Sequence, residues 1–224
     1  GYFSFLNNFS HLVLSDPLLK TIEALGFDTP SEIQQQAIPQ LLRGDRDFIG
    51  LAQTGTGKTA AFGLPLLQQI DPEQAHTQAL ILAPTRELGQ QIAQQMELFS
   101  KHISGIRMLA VYGGASIQTQ LRTLRKPVHL LIATPGRLID LMERGAVQLD
   151  QLRFVILDEA DEMLNFGFKE DIDRILRDSP DSKRTWLFSA TLSADLKHIV
   201  DSFMDDPFEV RLSRSNKANV NIEH

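Results

Sequence analysis

The chain has 224 residues, 42% hydrophobic and 22% charged, the usage of an ordinary globular protein with enough apolar content for a core. Its formal charge of −6 argues against attraction to a polyanion by bulk electrostatics, so any nucleic-acid contact must come from a local site. The absence of cysteine excludes disulfide scaffolds, cysteine nucleophiles and cysteine-bound metals, and no apolar run approaches the roughly 18 residues that span a bilayer. The first residues, Gly1-Tyr2-Phe3-Ser4-Phe5, carry neither the basic region nor the apolar stretch of a signal peptide, so a cytoplasmic setting without a membrane partner is expected.

Residues 1–45 read as two helices and no strand. These are Pro17–Leu25, with Asp16 as its cap and Pro17 in the first turn, and Ser31–Leu42 behind Pro30. From residue 46 the pattern changes to short aliphatic or β-branched runs: Asp47–Leu51, Ala79–Ala83, Met108–Tyr112, His129–Ala133, Phe154–Leu157, Thr185–Phe188 and Phe208–Leu212. Most are continuously apolar rather than alternating, as strands covered on both faces are. Helical periodicity fills the gaps, with Leu88, Ile92, Met96 and Phe99 stepping by 4, 4 and 3, and Phe168, Ile172 and Ile175 by 4 and 3. Leu196, Ile199 and Phe203 step by 3 and 4. The alternation predicts an α/β fold over residues 46–214, a largely parallel sheet of about seven strands with helices on both faces. The polar ending 215–224, with three asparagines, reads as the start of a connection to a further segment.

The loop Ala52-Gln53-Thr54-Gly55-Thr56-Gly57-Lys58-Thr59 leaves a predicted strand and opens a predicted helix, and its tail matches the Walker A pattern, with Ala52 where the stricter form has glycine. Small residues let backbone N–H groups converge on phosphates, and the helix N-terminus adds positive potential. Lys58 would neutralise β and γ phosphates and the Thr59 hydroxyl would bind Mg²⁺. Such a loop needs a second strand that delivers a carboxylate, and Phe154-Val155-Ile156-Leu157 ends in Asp158-Glu159. Asp158 would hold Mg²⁺ and Glu159 would orient and deprotonate water. The same two acids would also suit the cap of a following helix. Hydrolysis of a nucleoside triphosphate is the implied reaction.

The acids continue as Asp158-Glu159-Ala160-Asp161, and with them the chain resembles the amino-terminal domain of DEAD-box ATP-dependent RNA helicases over almost its whole length. Seven signatures occur in the family's order: Gly26-Phe27…Pro30…Ile33-Gln34, Ala52–Thr59, Pro84-Thr85-Arg86-Glu87-Leu88, Gly113-Gly114, Thr134-Pro135-Gly136-Arg137, Asp158–Asp161 and Ser189-Ala190-Thr191. Asp158–Leu164 and Asn165-Phe166-Gly167-Phe168 look most like bacterial members. Gly89 and Phe166 depart from the common alanine and methionine without touching a role.

The resemblance implies a RecA-like fold, ATP or ADP as ligand with Mg²⁺, and RNA as partner. It implies a helical adenine-recognition preamble over residues 1–45, a linker at 215–224, and a second RecA-like domain beyond these residues. It assigns Gln34 to adenine, and an amide matches adenine N7 and N6-H₂ bidentately where guanine offers two acceptors. Ser31-x-x-Gln34 is equally the spacing of a capping box. Phe9 and Phe27 occupy positions the family places near adenine, and either would also serve as a core residue. Pro84, Thr85, Arg86, Gly113, Gly114, Thr134, Pro135, Gly136 and Arg137 carry the family's RNA-backbone contacts, each group just after a predicted strand, and each alone reads as a plain turn. Asp161, Ser189 and Thr191 complete the family's catalytic set, coupling the nucleotide site to RNA through hydrogen bonds to the acidic motif. The six histidines show no metal-ligand spacing and read as surface or satisfied core, and Trp186 reads as core. The arginine fingers of the family's second domain have no counterpart in these residues, so the chain alone is expected to bind nucleotide, turn it over slowly and not unwind a duplex.

Overall fold

The computed structural model describes residues 9–212. The expected linker at 215–224 lies outside the described residues. A 3₁₀ turn, Phe9–Leu12, leads into α1 (Asp16–Ala24) and α2 (Glu32–Arg43). The cap of α1 corrects the sequence reading. Ser15, not Asp16, holds the extended cap conformation, and its carbonyl accepts the Leu19 N–H at 2.9 Å while its own N–H donates to Gln68 Oε1 at 2.8 Å. Asp16 is instead the first helical residue, where its charge complements the helix dipole.

The strands β1 (Phe48–Leu51), β2 (Ala79–Leu82), β3 (Met108–Val111), β4 (Leu130–Ala133), β5 (Phe154–Leu157), β6 (Arg184–Ser189) and β7 (Phe208–Arg211) match the seven predicted runs. They form one sheet in the order β3-β4-β2-β5-β6-β1-β7, and every pairing is parallel. The crossovers carry α3 (Lys58–Gln69), α4 (Arg86–Phe99), α5 (Ile117–Thr123), α6 (Pro135–Glu143), α7 (Ala160–Asn165), α8 (Lys169–Asp178) and α9 (Ala194–Phe203).

Side chains alternate between two cores. Phe48, Ile81, Ile132, Ile156, Trp186 and Phe188 face a layer from α1 to α4, and Ile49, Leu80, Leu131, Val155 and Leu187 face a layer from α6 to α9. Covering on both faces is why the strand sequences are apolar without alternation. The predicted helical stripes turn inward: Ile92, Met96 and Phe99 of α4, Ile172 and Ile175 of α8, and Leu196 and Ile199 of α9 are buried. Trp186 is fully buried, and buried His129 is satisfied, with Nδ1 accepting the Arg107 N–H at 2.9 Å and Nε2 3.0 Å from Pro72 O.

Because all strands run the same way, every loop leaving a strand C-terminus opens on one edge. The hydrogen-bond ladder continues one step into those loops. Ala52 N–H donates to Ser189 O, Asp158 to Leu82 O, Ala83 to Ala133 O and Thr134 to Val111 O, at 3.0–3.1 Å. The first residue of four of the candidate loops, those after β1, β2, β4 and β5, is therefore held by the neighbouring strand.

Candidate functional site

The loop after β1 turns through two left-handed glycines, Gly55 at φ +85° and Gly57 at φ +84°. Gly57 is the N-cap of α3, and a Cβ there would lie 2.5 Å from Gln34 Nε2. Only glycine fits that backbone and that approach. Thr56 Oγ1 braces the turn by donating to Gln53 O at 2.8 Å. The helix N-terminus then presents Lys58, whose side chain is buried, and Thr59 behind it.

Lys58 Nζ lies 3.3 Å from Asp158 Oδ1 at the end of β5, so the two halves predicted from separate motifs meet in one buried ion pair. Asp158 is 2% exposed. Burial pushes its carboxyl up from the ordinary value, against the pull of Lys58 and of the Glu159 N–H that donates to Oδ1 at 3.0 Å. Glu159 is raised too, first by partial desolvation, with Lys58 opposing and Asp158 reinforcing. Its backbone is left-handed, φ +48°, a conformation that costs a non-glycine residue about 1 kcal/mol or more. It occupies the N-cap of α7 without any side-chain cap bond. The capping alternative for this acid is thus not realised, and its carboxylate is left for other work.

Asp161, Ser189 and Thr191 close a ring. The Asp161 N–H donates to Ser189 Oγ at 3.2 Å, the Ser189 hydroxyl donates to Thr191 O at 2.7 Å, and the Thr191 hydroxyl donates to Asp161 Oδ2 at 3.0 Å. The acidic motif and the end of β6 are one hydrogen-bonded unit.

Gln34 realises the capping box and reaches beyond it. Its Oε1 accepts the Ser31 N–H at 2.8 Å, its own N–H donates to Ser31 Oγ at 3.4 Å, and its Nε2 donates to Gly57 O at 3.1 Å. A primary amide has two donors and two acceptor lone pairs. Those bonds use one of each, leaving one donor and one acceptor, the complement of adenine N7 and N6-H₂. Phe9 is buried and packs at 6.2 Å, ring to ring, against Phe27, which is 38% exposed and also meets Phe99 at 6.3 Å. Of the two aromatics, Phe27 presents a face to solvent and Phe9 supports it from the core.

The second set of loops follows β2, β3 and β4. Thr85 caps α4 by accepting the Leu88 N–H at 3.2 Å, Pro84 precedes it, and Arg86 extends to donate to Gly114 O at 3.1 Å. The Arg86 guanidinium also stacks on Tyr112, 4.8 Å from the ring centre. Thr134 is the N-cap of α6, with Pro135 and Gly136 in its first turn. Arg137 Nη1 and Nη2 donate to Ala115 O at 3.2 and 3.3 Å, and Nη1 also donates to Gln120 Oε1 at 2.9 Å. Two arginines from different strand ends therefore grip successive carbonyls of the Gly113–Ser116 loop.

Gln120 and Tyr112 escaped the sequence reading. The signal for Gln120 was present: Ile117, Gln120, Leu121 and Leu124 sit at i, i+3, i+4 and i+7, so an amide occupies a position on the buried stripe of α5.

The DEAD/DEAH box helicase family model matches residues 31–199. The ATP-dependent RNA helicase DeaD of Haemophilus influenzae is 47% identical over 215 residues, 96% of this chain and 35% of that protein. DeaD of Escherichia coli K12 is 48% identical over 94% of this chain and 33% of its own length. The DEAD-box ATP-dependent RNA helicase CshA of Bacillus cereus is 44% identical over 97% of this chain and 41% of its own. The chain thus spans about a third of the bacterial relatives it matches. Among solved structures, a DEAD box protein from the hyperthermophile Methanococcus jannaschii superposes with a TM-score of 0.89 at 37% identity, covering 93% of this chain and 57% of that one. A hypothetical ATP-dependent RNA helicase from Sulfolobus tokodaii gives 0.82 at 33% identity, covering 89% and 57%.

Proposed function

The chain belongs to the DEAD/DEAH box helicase family, and from that premise we propose that it is the nucleotide-binding RecA-like half of an ATP-dependent RNA helicase. The observation that carries this reading is the Lys58–Asp158 contact at 3.3 Å, which joins a phosphate loop to an acidic strand end. Residues 9–45 form an adenine-recognition layer on the core that follows, with Gln34 offering its spare donor and acceptor to the base and Phe27 beside it. Gly55, Gly57 and the start of α3 receive the phosphates, and Lys58 turns from Asp158 to the β and γ oxygens. Mg²⁺ fits this donor set. No cluster of three or more His, Asp or Glu that could hold a metal occurs among the described residues, and Mg²⁺ is commonly held by one or two protein oxygens plus water and substrate phosphates. Asp158 and Thr59 would hold it, and it would neutralise charge on the transferred phosphoryl group. Glu159 positions and deprotonates the attacking water, and its raised carboxyl is suited to accepting that proton.

Arg86, Arg137 and the N–H groups of Gly113–Gly114 and of the α4 and α6 N-termini bind RNA phosphates without reading sequence. The Asp161–Ser189–Thr191 ring links that surface to the γ-phosphate. No helix of the described residues is long and apolar enough to cross a membrane, and a cytoplasmic setting suits the reading. A second RecA-like domain supplies the arginine fingers, so the chain alone binds adenosine nucleotides, hydrolyses ATP very slowly and does not unwind. Calorimetry with ADP and GDP tests this reading. ADP is expected to bind, GDP to bind at least tenfold more weakly, and Gln34→Ala to erase most of that difference; equal affinities would sink it. In the full-length protein RNA is expected to stimulate ATPase more than DNA of the same sequence.

A further inference from the structure

We infer that Gln120, outside all seven signatures, is a positioning residue that holds Arg137 and the Gly113–Gly114 loop in one fixed arrangement for binding successive phosphates. Gln120 is 6% exposed, and its amide is fully directional. Nε2 donates to Tyr112 O at 3.2 Å, at the point where β3 gives way to the loop, and Oε1 accepts from Arg137 Nη1 at 2.9 Å. Rotating the amide would set donor against donor at Arg137 and acceptor against acceptor at Tyr112, so only one orientation is stable.

The bracket extends through Tyr112. The Tyr112 hydroxyl accepts from Gln90 Nε2 at 3.1 Å, and its ring carries the Arg86 guanidinium. Arg86 and Arg137 come from loops after β2 and β4, yet both are referenced to the same backbone segment, Tyr112–Ala115, through Gly114 O and Ala115 O. Arginine has five N–H donors. The bonds of Arg137 use three, and among the described residues its remaining N–H groups have no partner. Held this way, it offers a fixed fork to a phosphate without first losing side-chain freedom, which is the cost that pre-organisation removes.

This inference rests on the RNA-binding reading above, and the test separates the two. Binding of a fluorescent single-stranded oligouridylate to the full-length protein, with a non-hydrolysable ATP analogue, is measured against salt for wild type, Gln120→Met, Gln120→Glu, Arg137→Ala and the Gln120→Met/Arg137→Ala double variant. Methionine keeps the volume and removes both bonds; glutamate keeps a grip on Arg137 but cancels its charge and loses the donor to Tyr112. Gln120→Met is expected to weaken binding about fivefold, Gln120→Glu at least as much, and both to make the log–log salt slope shallower by up to about 0.7, one phosphate contact on a single strand. The double variant is expected to bind no more weakly than Arg137→Ala alone. Gln120→Met binding like wild type, or losses that multiply in full with Arg137→Ala, overturns the positioning role while leaving the RNA reading intact. Wild-type protein that does not bind the oligonucleotide overturns both.

Discussion

The two ends of the same sheet edge solve the problem of charge differently. On the side of β5, β6 and β1 the charged groups are taken out of water and set against one another: Lys58 and Asp158 are both buried, and Asp158 is held at a raised affinity for its proton. On the side of β3, β4 and β2 the charged groups stay near the surface and are steered by neutral partners, backbone carbonyls, an amide and a phenol ring. A buried charge binds strongly and responds sharply to the presence of a partner. A surface arginine on neutral supports keeps its full charge for a phosphate and adds little unless its geometry is fixed. On the function proposed above, one side suits affinity for a small polyanion and the other placement along a long one.

The largest break in this contrast is expected from Lys58→Ala, which strands the Asp158 carboxyl and removes the phosphate partner. ADP affinity by calorimetry should fall about 100-fold or more, about 2.7 kcal/mol. Gly57→Ala should act on the same side with less force, because its Cβ would crowd Gln34 Nε2 and its φ disfavours a side chain. About tenfold weaker ADP binding, with loss of discrimination against GDP, is the expected outcome. Arg86→Ala sharpens the comparison from the other end. RNA affinity should drop about fivefold with a shallower salt slope, while ADP affinity changes less than twofold. Equal damage to both ligands would erase the distinction between the two sides of the sheet edge.

The smallest effect is in pH. Asp158 has a raised pKa in the fold, so the folded state binds its proton more tightly than the unfolded chain does. As pH rises from about 4 through the raised folded value, this carboxyl withdraws stability from the fold. In EDTA, the melting-temperature difference between wild type and Asp158→Asn should therefore decline over that interval, and a rising difference would contradict the burial argument.

Most of the architecture was legible because doubly covered parallel strands have to be continuously apolar, and all seven runs became strands. That the loop after β1 and the acidic end of β5 belong together was legible because a loop of that pattern calls for a carboxylate from a second strand, and Lys58 does meet Asp158. What escaped were bonds between side chains and distant backbone. Gln34 was read as either a cap or an adenine contact, and it caps while also holding Gly57 O, a bond across 23 positions that no spacing rule contains. Gln120 went unread, because its two partners, Tyr112 O and Arg137, come from different strand ends. The Asp16 cap was misplaced by one residue, because Ser15 is anchored by Gln68 of α3, a contact 53 positions away.

The sheet order has one more implication. After Leu82 of β2 the chain builds β3 and β4 on one side of that strand before returning to its other side at Phe154 of β5, with Leu82 paired to Leu157 and Ala79 to Phe154. Everything between, including β3, β4 and both arginine-bearing turns, is a detour from two strands that are already neighbours. The Lys58–Asp158 pair and the Asp161–Ser189–Thr191 ring are built from the ends of β1, β5 and β6, and the detour touches this side through α4, whose Phe99 backs Phe27. Such a layout lets the surface bearing Arg86 and Arg137 be lengthened, swapped or retuned as an inserted cassette, while the pairing of β2 with β5 keeps its register.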